Sequence, residues 1–251
     1  MSGTDRAVGG RGRAGTVVSG LAVAVGCVLF LGGFAWAALV YQPYTVPTES
    51  MAPTVNAGDR VLAERIDGSD VRRGDVVVFT DPLWGDTPMV KRVVGVGGDT
   101  VACCEQGGRL TVDGTPVDEP YLSRGTGAAG APGPASPQKF SAKVPEGALF
   151  LLGDERVSSL DSRVHLQDAG QGSVPLSAVR ARVDAVAWPM NGMIGRPAAF
   201  AALPGGVSAE GPLPLQAGAA LLGVVLILGG AAYGPVAARA ARRERTVGGA
   251  R

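Results

Sequence analysis

The chain has 251 residues, 46% of them apolar, with 39 glycines, 18 prolines and a formal net charge of +1. Glycine and proline stay below the level that marks a low-complexity chain, while the gathering of apolar residues into two uncharged stretches near the ends argues against a wholly soluble protein. Both ends are basic, with Arg6, Arg11 and Arg13 in one and Arg239, Arg242, Arg243, Arg245 and Arg251 in the other. The middle is acidic, which speaks against a nucleic-acid partner because phosphate binding needs clustered positive charge.

Residues 1–15 read as a basic tail. The run TVVSGLAVAVGCVLFLGGFAWAALV, 16–40, is uncharged and long enough to cross a hydrocarbon core of about 30 Å at about 1.5 Å per helical residue. A cleavable signal peptide is the rival reading, since Ala35, Trp36 and Ala37 form an A-x-A pattern. The apolar run outlasts the usual signal h-region of about 7–15 residues, so the element is taken as a transmembrane helix. Whether the pattern at 35–37 is itself cut stays open.

Residues 41–210 form the body of the chain, expected to be mainly β with an antiparallel sheet. RVLAERI (60–66), DVVVFT (75–80), MVKRVVGV (89–96), DTVACC (99–104), RLTVDG (109–114), GALFLLGD (147–154) and AVRARVDAVAWP (178–189) are rich in Val and Leu and bounded by Gly, Asp or Pro. Asp113-Gly114 signals a tight turn between LTV and TPV. Residues 124–138, RGTGAAGAPGPASPQ, are small and turn-rich and read as a mobile loop or insertion.

A second uncharged stretch, 213–238, contains Gln216 and Pro235 yet is long enough to span, and the basic tail 239–251 follows it. An apolar hairpin packed on the body is the alternative. Basic residues outside both stretches place both tails in the cytoplasm by the positive-inside rule and the body outside.

Cys27 lies in the first stretch, and Cys103 and Cys104 are neighbours in the body. A vicinal bridge, two thiols and bridges to another chain all stay open. No CxxC or Cys/His ligand spacing points to a metal.

His165 is the single histidine, so a Ser-His-Asp triad would have to use it, and no G-x-S-x-G elbow supplies its serine. A serine can instead be activated by a lysine held neutral. Lysine is scarce: only Lys91, Lys139 and Lys143 occur, against twenty arginines. In MVKRVVGV the period of two puts Lys91 on the face of Met89 and Val93, where burial would lower its pKa. The S-x-x-K string at Ser136 to Lys139 sits in the loop without the partners its chemistry needs and is set aside. Ser50, in VPTESMAPT, is held between Pro47 and Pro53 a short way beyond the first stretch, which would fix its Oγ near the outer membrane surface.

In chain order, PTESMAPT, GDRVLAE, RGDVVVF, KRVVGVGGD and GDERVSSLDSR resemble the motif series of the bacterial type I signal peptidases, over Tyr44 to Asp99 and Leu149 to Arg163, and the intervening residues 100–148 look like that family's variable insertion. The resemblance implies a membrane-anchored, cofactor-free serine-lysine endopeptidase, working as a monomer, that removes signal peptides from exported preproteins at the outer face of the cytoplasmic membrane. It further implies Ser50 as nucleophile and Lys91 as general base, with Thr48 Oγ1 and the Ser50 N–H as oxyanion donors. Ser159 would orient the lysine amine; Asp161, Arg163, Gly153 and Asp154 would support the site. Met51, Val90 and Val93 are expected to line shallow subsites for small side chains at positions −1 and −3 of the substrate. Two departures stand out: Glu155, where the family often has Asn, which is either a tolerated surface change or, with its carboxylate near the amine, a charge opposing the neutral form, and the second apolar stretch. A noncatalytic membrane-tethered scaffold, for which Ser50 and Lys91 would be dispensable, and a soluble self-cleaving repressor protease are the alternatives.

Overall fold

Two long uncharged, apolar segments form the two long helices of the chain. Arg6–Val40 and Leu213–Gly248 enclose the uncharged stretches Gly15–Val40 and Leu213–Val236, each long and apolar enough to cross a membrane. The computed structural model describes residues 6–104, 107–122 and 133–248. It divides into a helical unit built from the two ends and a β unit, Tyr41–Gly211. Both helices run on beyond the expected spans 16–40 and 213–238, so the basic tails are partly helical; residues 1–5 and 249–251 lie outside the described residues.

The two helices pack antiparallel through a seven-residue repeat. Ser19 Oγ donates to Gly230 O at 2.6 Å. A Cβ on Gly26 would come within 2.8 Å of Gly223 O, one on Gly223 within 2.6 Å of Gly26 O, and one on Gly33 within 3.0 Å of Gln216 O. Glycine at Gly26 and Gly223 is therefore a requirement of backbone approach.

In the β unit the strands are Tyr41–Thr45 (β1), Arg60–Glu64 (β2), Val76–Phe79 (β3), Met89–Val96 (β4), Thr100–Cys103 (β5), Leu110–Val112 (β6), Thr115–Val117 (β7), Phe140–Lys143 (β8), Ala148–Leu152 (β9), Val174–Pro175 (β10), Val179–Trp188 (β11) and Gly192–Met193 (β12). All pairings are antiparallel. The larger sheet runs β1-β2-β11-β3-β4-β9-β10, with β12 on β11; the smaller runs β7-β6-β5-β8. Asp113 and Gly114 turn between β6 and β7 with φ of 49° and 75°, the left-handed pair that a two-residue hairpin demands.

β3 is buried along its whole length because it serves both faces of the larger sheet. Val76 and Val78 pack with Met51, Val61 and Val183, while Val77 and Phe79 pack with Val93, Leu149 and Leu151. On β9, Phe150 and Leu152 turn instead to a third cluster with Val101, Leu110 and Val112 of the smaller sheet. Strand alternation thus welds the region 100–148 to the main sheet. Most of the expected loop 124–138 lies outside the described residues, but its end does not behave as a mobile loop: Ala135 and Ser136 are buried. Cys103 and Cys104 form the vicinal bridge, and Cys27 is free.

Candidate active site

Ser50 stands in a 3-10 turn, Glu49–Met51, entered from an extended Thr48 (φ −132°, ψ 159°). The turn is pinned from below: Met51 is 0% exposed among apolar side chains, and its carbonyl accepts from Val55 N at 2.9 Å. Burying Met51 leaves Ser50 half-buried at the surface.

Lys91 comes from the middle of β4, opposite Val77 of β3. Its row-mates Met89 and Val93 pack with Val77, so the alternation that buries them also buries the lysine, which is 4% exposed. The Nζ donates to Ser50 Oγ at 2.8 Å. Burial lowers the Lys91 pKa from 10.5 to about 8; the Asp161 and Asp154 carboxylates pull it partly back, and Arg163 lowers it again. Thr48 Oγ1 lies 3.2 Å from Ser50 Oγ as a further donor. The arrangement joins a hydroxyl to an amine that sheds its proton far more readily than an ordinary lysine.

The segment 153–156 forms the floor beneath Ser50. Glu155 N donates to Ser50 O at 3.1 Å. A Cβ on Gly153 would stand 2.4 Å from Ser50 O and 2.1 Å from Ser159 Oγ, so only glycine lets the two backbones meet. Gly153 N donates to Asp161 Oδ2 at 3.0 Å, and Asp161 also takes Arg163 Nε and Nη2 at 2.8 and 2.7 Å. Fully buried, Asp161 caps the turn Ser162–His165 by accepting from Arg163 N.

Two expectations need correction. Ser159 makes no hydrogen bond to the amine: its Oγ is buried without a hydrogen-bond partner, facing Gly153. Met51 and Val93 are each fully buried and fall in separate apolar clusters, so sheet packing consumes them and they do not line an open subsite; Val90 is half-buried beside the Met51 cluster. Glu155 does not face Lys91. Burial alone would raise its carboxyl, but hydrogen bonds from the Ser158 hydroxyl and amide and the Val157 amide outweigh this and leave it below its ordinary value. His165 is spent elsewhere, with Nδ1 2.8 Å from Asp168 and its ring stacked on Trp84 at 4.7 Å.

Sequence reasoning gave no role to two buried arginines. Arg92, adjacent to Lys91 and on the opposite face, pairs with Asp154 at 2.8 and 2.7 Å and with Gly74 O at 2.8 Å, and Asp154 also accepts from Thr54 Oγ1 at 2.6 Å. Arg156 donates to Gly153 O at 2.9 Å and pairs with Glu119. For Arg92 the available signal was an arginine inside an apolar strand, since such a charge must find a carboxylate; Arg156, in the turn after β9, carried no such local signal. Among the described residues, no three His, Cys, Asp or Glu side chains are grouped to hold a metal ion.

A family model described as signal peptidase, peptidase S26, matches residues 17–188. Signal peptidase I of Mycobacterium tuberculosis is 32% identical over 195 residues, covering 60% of this chain and 66% of that protein. Signal peptidase I of Bacillus licheniformis is 34% identical over 157 residues, covering 61% and 80%. A signal peptidase I crystal structure from Enterococcus faecalis aligns at 27% identity with a TM-score of 0.35, over 44% of this chain and 94% of that one.

Proposed function

This chain belongs to the peptidase S26 signal peptidase family, and we propose that it is a membrane-bound serine endopeptidase that removes N-terminal signal peptides from exported preproteins by a Ser50-Lys91 dyad. The observation that carries the mechanism is the 2.8 Å contact between Lys91 Nζ and Ser50 Oγ, made by an amine whose pKa is lowered to about 8. Neutral Lys91 takes the Ser50 proton as Oγ attacks the scissile carbonyl carbon. The oxyanion is held by the Ser50 N–H and by Thr48 Oγ1, donors of a kind that contribute about 2.7–4 kcal/mol each. Protonated Lys91 then gives its proton to the leaving amine as the carbon–nitrogen bond breaks. Water, deprotonated by Lys91, attacks the acyl-Ser50 ester, and the proton returns to Oγ. A bound peptide excludes water and favours the neutral amine further.

Asp161, Arg163, Gly153 and Asp154 act as supports: Asp161 fixes Gly153 N, and Asp154 neutralises Arg92. Cleavage follows small residues in an A-x-A pattern. The stretches Gly15–Val40 and Leu213–Val236 anchor the chain, with both tails cytoplasmic and the β unit outside. All groups used in the mechanism come from one chain, and no cofactor is required.

Cleavage of an A-x-A preprotein in detergent tests this reading. Wild type should process it. Ser50→Ala and Lys91→Ala should each lose turnover by several orders of magnitude while remaining folded, and His165→Ala should stay near wild type. Full activity in either of the first two variants overturns the dyad.

A further inference from the structure

We propose that Glu119 and Tyr121, from the region between β7 and β8, are positioning residues for the Ser50 site, clamping the 153–156 floor through Arg156 and Arg92; the catalytic part of this rests on the function proposed above. Glu119 is 1% exposed. It takes Arg156 Nη1 at 3.0 Å on one oxygen and Arg156 Nη2 on the other, a two-point pairing of fixed geometry. Arg156 also donates to Ala135 O and Gly153 O, both at 2.9 Å. The guanidinium is therefore a bracket with Gly153 at one end and the 100–148 region at the other.

Tyr121 holds the second end. Its hydroxyl donates to Glu119 Oε1 at 2.6 Å, and its ring lies 4.0 Å from the Arg92 guanidinium. Arg92 in turn grips Asp154 through two hydrogen bonds. Two residues on either side of Pro120 thus engage both arginines that hold Gly153 and Asp154.

The floor segment 153–156 meets the Ser50 backbone at close range. Glu155 N bonds the Ser50 carbonyl, and Gly153 is packed against the same oxygen. Loss of the Glu119 charge leaves Arg156 buried without its carboxylate, so the guanidinium must shift toward other acceptors and take Gly153 with it. The consequence is a lengthened contact between Ser50 Oγ and Lys91, and a displacement of about 1 Å at such a contact lowers turnover about 10²-fold. Buried Glu119 faces no substrate, so ground-state binding is unaffected.

The test uses full-length protein in detergent, comparing wild type, Glu119→Gln, Tyr121→Phe, Arg156→Gln and the double variant Glu119→Gln/Arg156→Gln. Peptide cleavage gives kcat and KM, and hydrogen exchange follows the Glu155 amide. Glu119→Gln should lower kcat roughly 10- to 100-fold, leave KM near wild type and speed exchange at Glu155. The double variant should be no slower than Arg156→Gln, because Glu119 acts through that side chain. Tyr121→Phe, which keeps the ring over Arg92, should show a smaller kcat loss of the same kind and serves as the deciding variant if Glu119→Gln does not fold. Wild-type kcat and wild-type exchange in a folded Glu119→Gln or Tyr121→Phe protein overturn the clamp, as does additivity in the double variant. Wild type that fails to cleave would count against the proposed function, and the exchange arm would still decide the clamp.

Discussion

The amide of Glu155 donates to the carbonyl of Ser50 at 3.1 Å, tying the floor of the site to the backbone of the proposed nucleophile. The bond uses only the backbone of Glu155, which is why an acidic side chain is tolerated at a position where its charge looked harmful.

That floor allows no side chain at Gly153. Gly153→Ala places a methyl 2.4 Å from Ser50 O and 2.1 Å from Ser159 Oγ. Turnover of an A-x-A peptide should fall about 10²-fold or more while the cooperative unfolding transition persists. Wild-type kcat in this variant would show that the floor yields without moving Ser50.

Charge near the amine should act selectively. Asp161 raises the Lys91 pKa and Glu155 is not among its influences. In pH–rate profiles Asp161→Asn should therefore shift the activating ionisation to lower pH, whereas Glu155→Gln should leave it in place. A shift caused by Glu155→Gln would mean that its carboxylate turns toward the lysine in solution.

Lys91 also exacts a stability cost with a defined pH window. Its folded pKa, about 8, lies below the unfolded 10.5. Between these values the unfolded chain holds more protons, so wild-type stability rises with pH across this window; below about 8 the penalty is fully present. Lys91→Met removes the titrating group and should be more stable than wild type at pH 7 by about 1–3 kcal/mol. The advantage should fade as pH approaches 10.5. Denaturant titrations at pH 7 and 10 measure both arms, and a pH-independent difference would refute the assignment.

The helical unit makes a prediction of its own. A Cβ on Gly234 would lie 3.8 Å from the Ser19 Cβ, inside the range for a disulfide. The pair Ser19→Cys and Gly234→Cys should oxidise to an intramolecular bridge in detergent. Adding Gly223→Ile, which forces a side chain against Gly26 O, should prevent it. Efficient bridging in the triple variant would contradict the close packing.

The sequence was informative where one physical effect dominates locally. β4 spans Met89–Val96 as its apolar alternation predicted, and the Asp113-Gly114 hairpin formed because few other residues tolerate two left-handed conformations. Lys91 stood out because lysine is rare in this chain and arginine cannot serve as a neutral base. Long-range pairing was harder to see. Strand β8, FSAK, carries too little apolar content to announce itself and is specified by pairing with β5. The Glu119–Arg156 pair joins residues far apart in sequence with no local pattern. Met51 and Val93 looked like subsite residues because nearness to Ser50 and Lys91 in sequence says nothing about which cluster a side chain fills.

Whether Lys91 activates Ser50 is decided by the pH dependence of kcat/KM for an A-x-A peptide, because it reports ionisations of the free enzyme. A neutral Lys91 acting on Ser50 predicts a rate that rises through one ionisation near 8, with a profile unchanged by His165→Ala. A rise delayed to about 10.5, or a profile that His165→Ala alters, would contradict it.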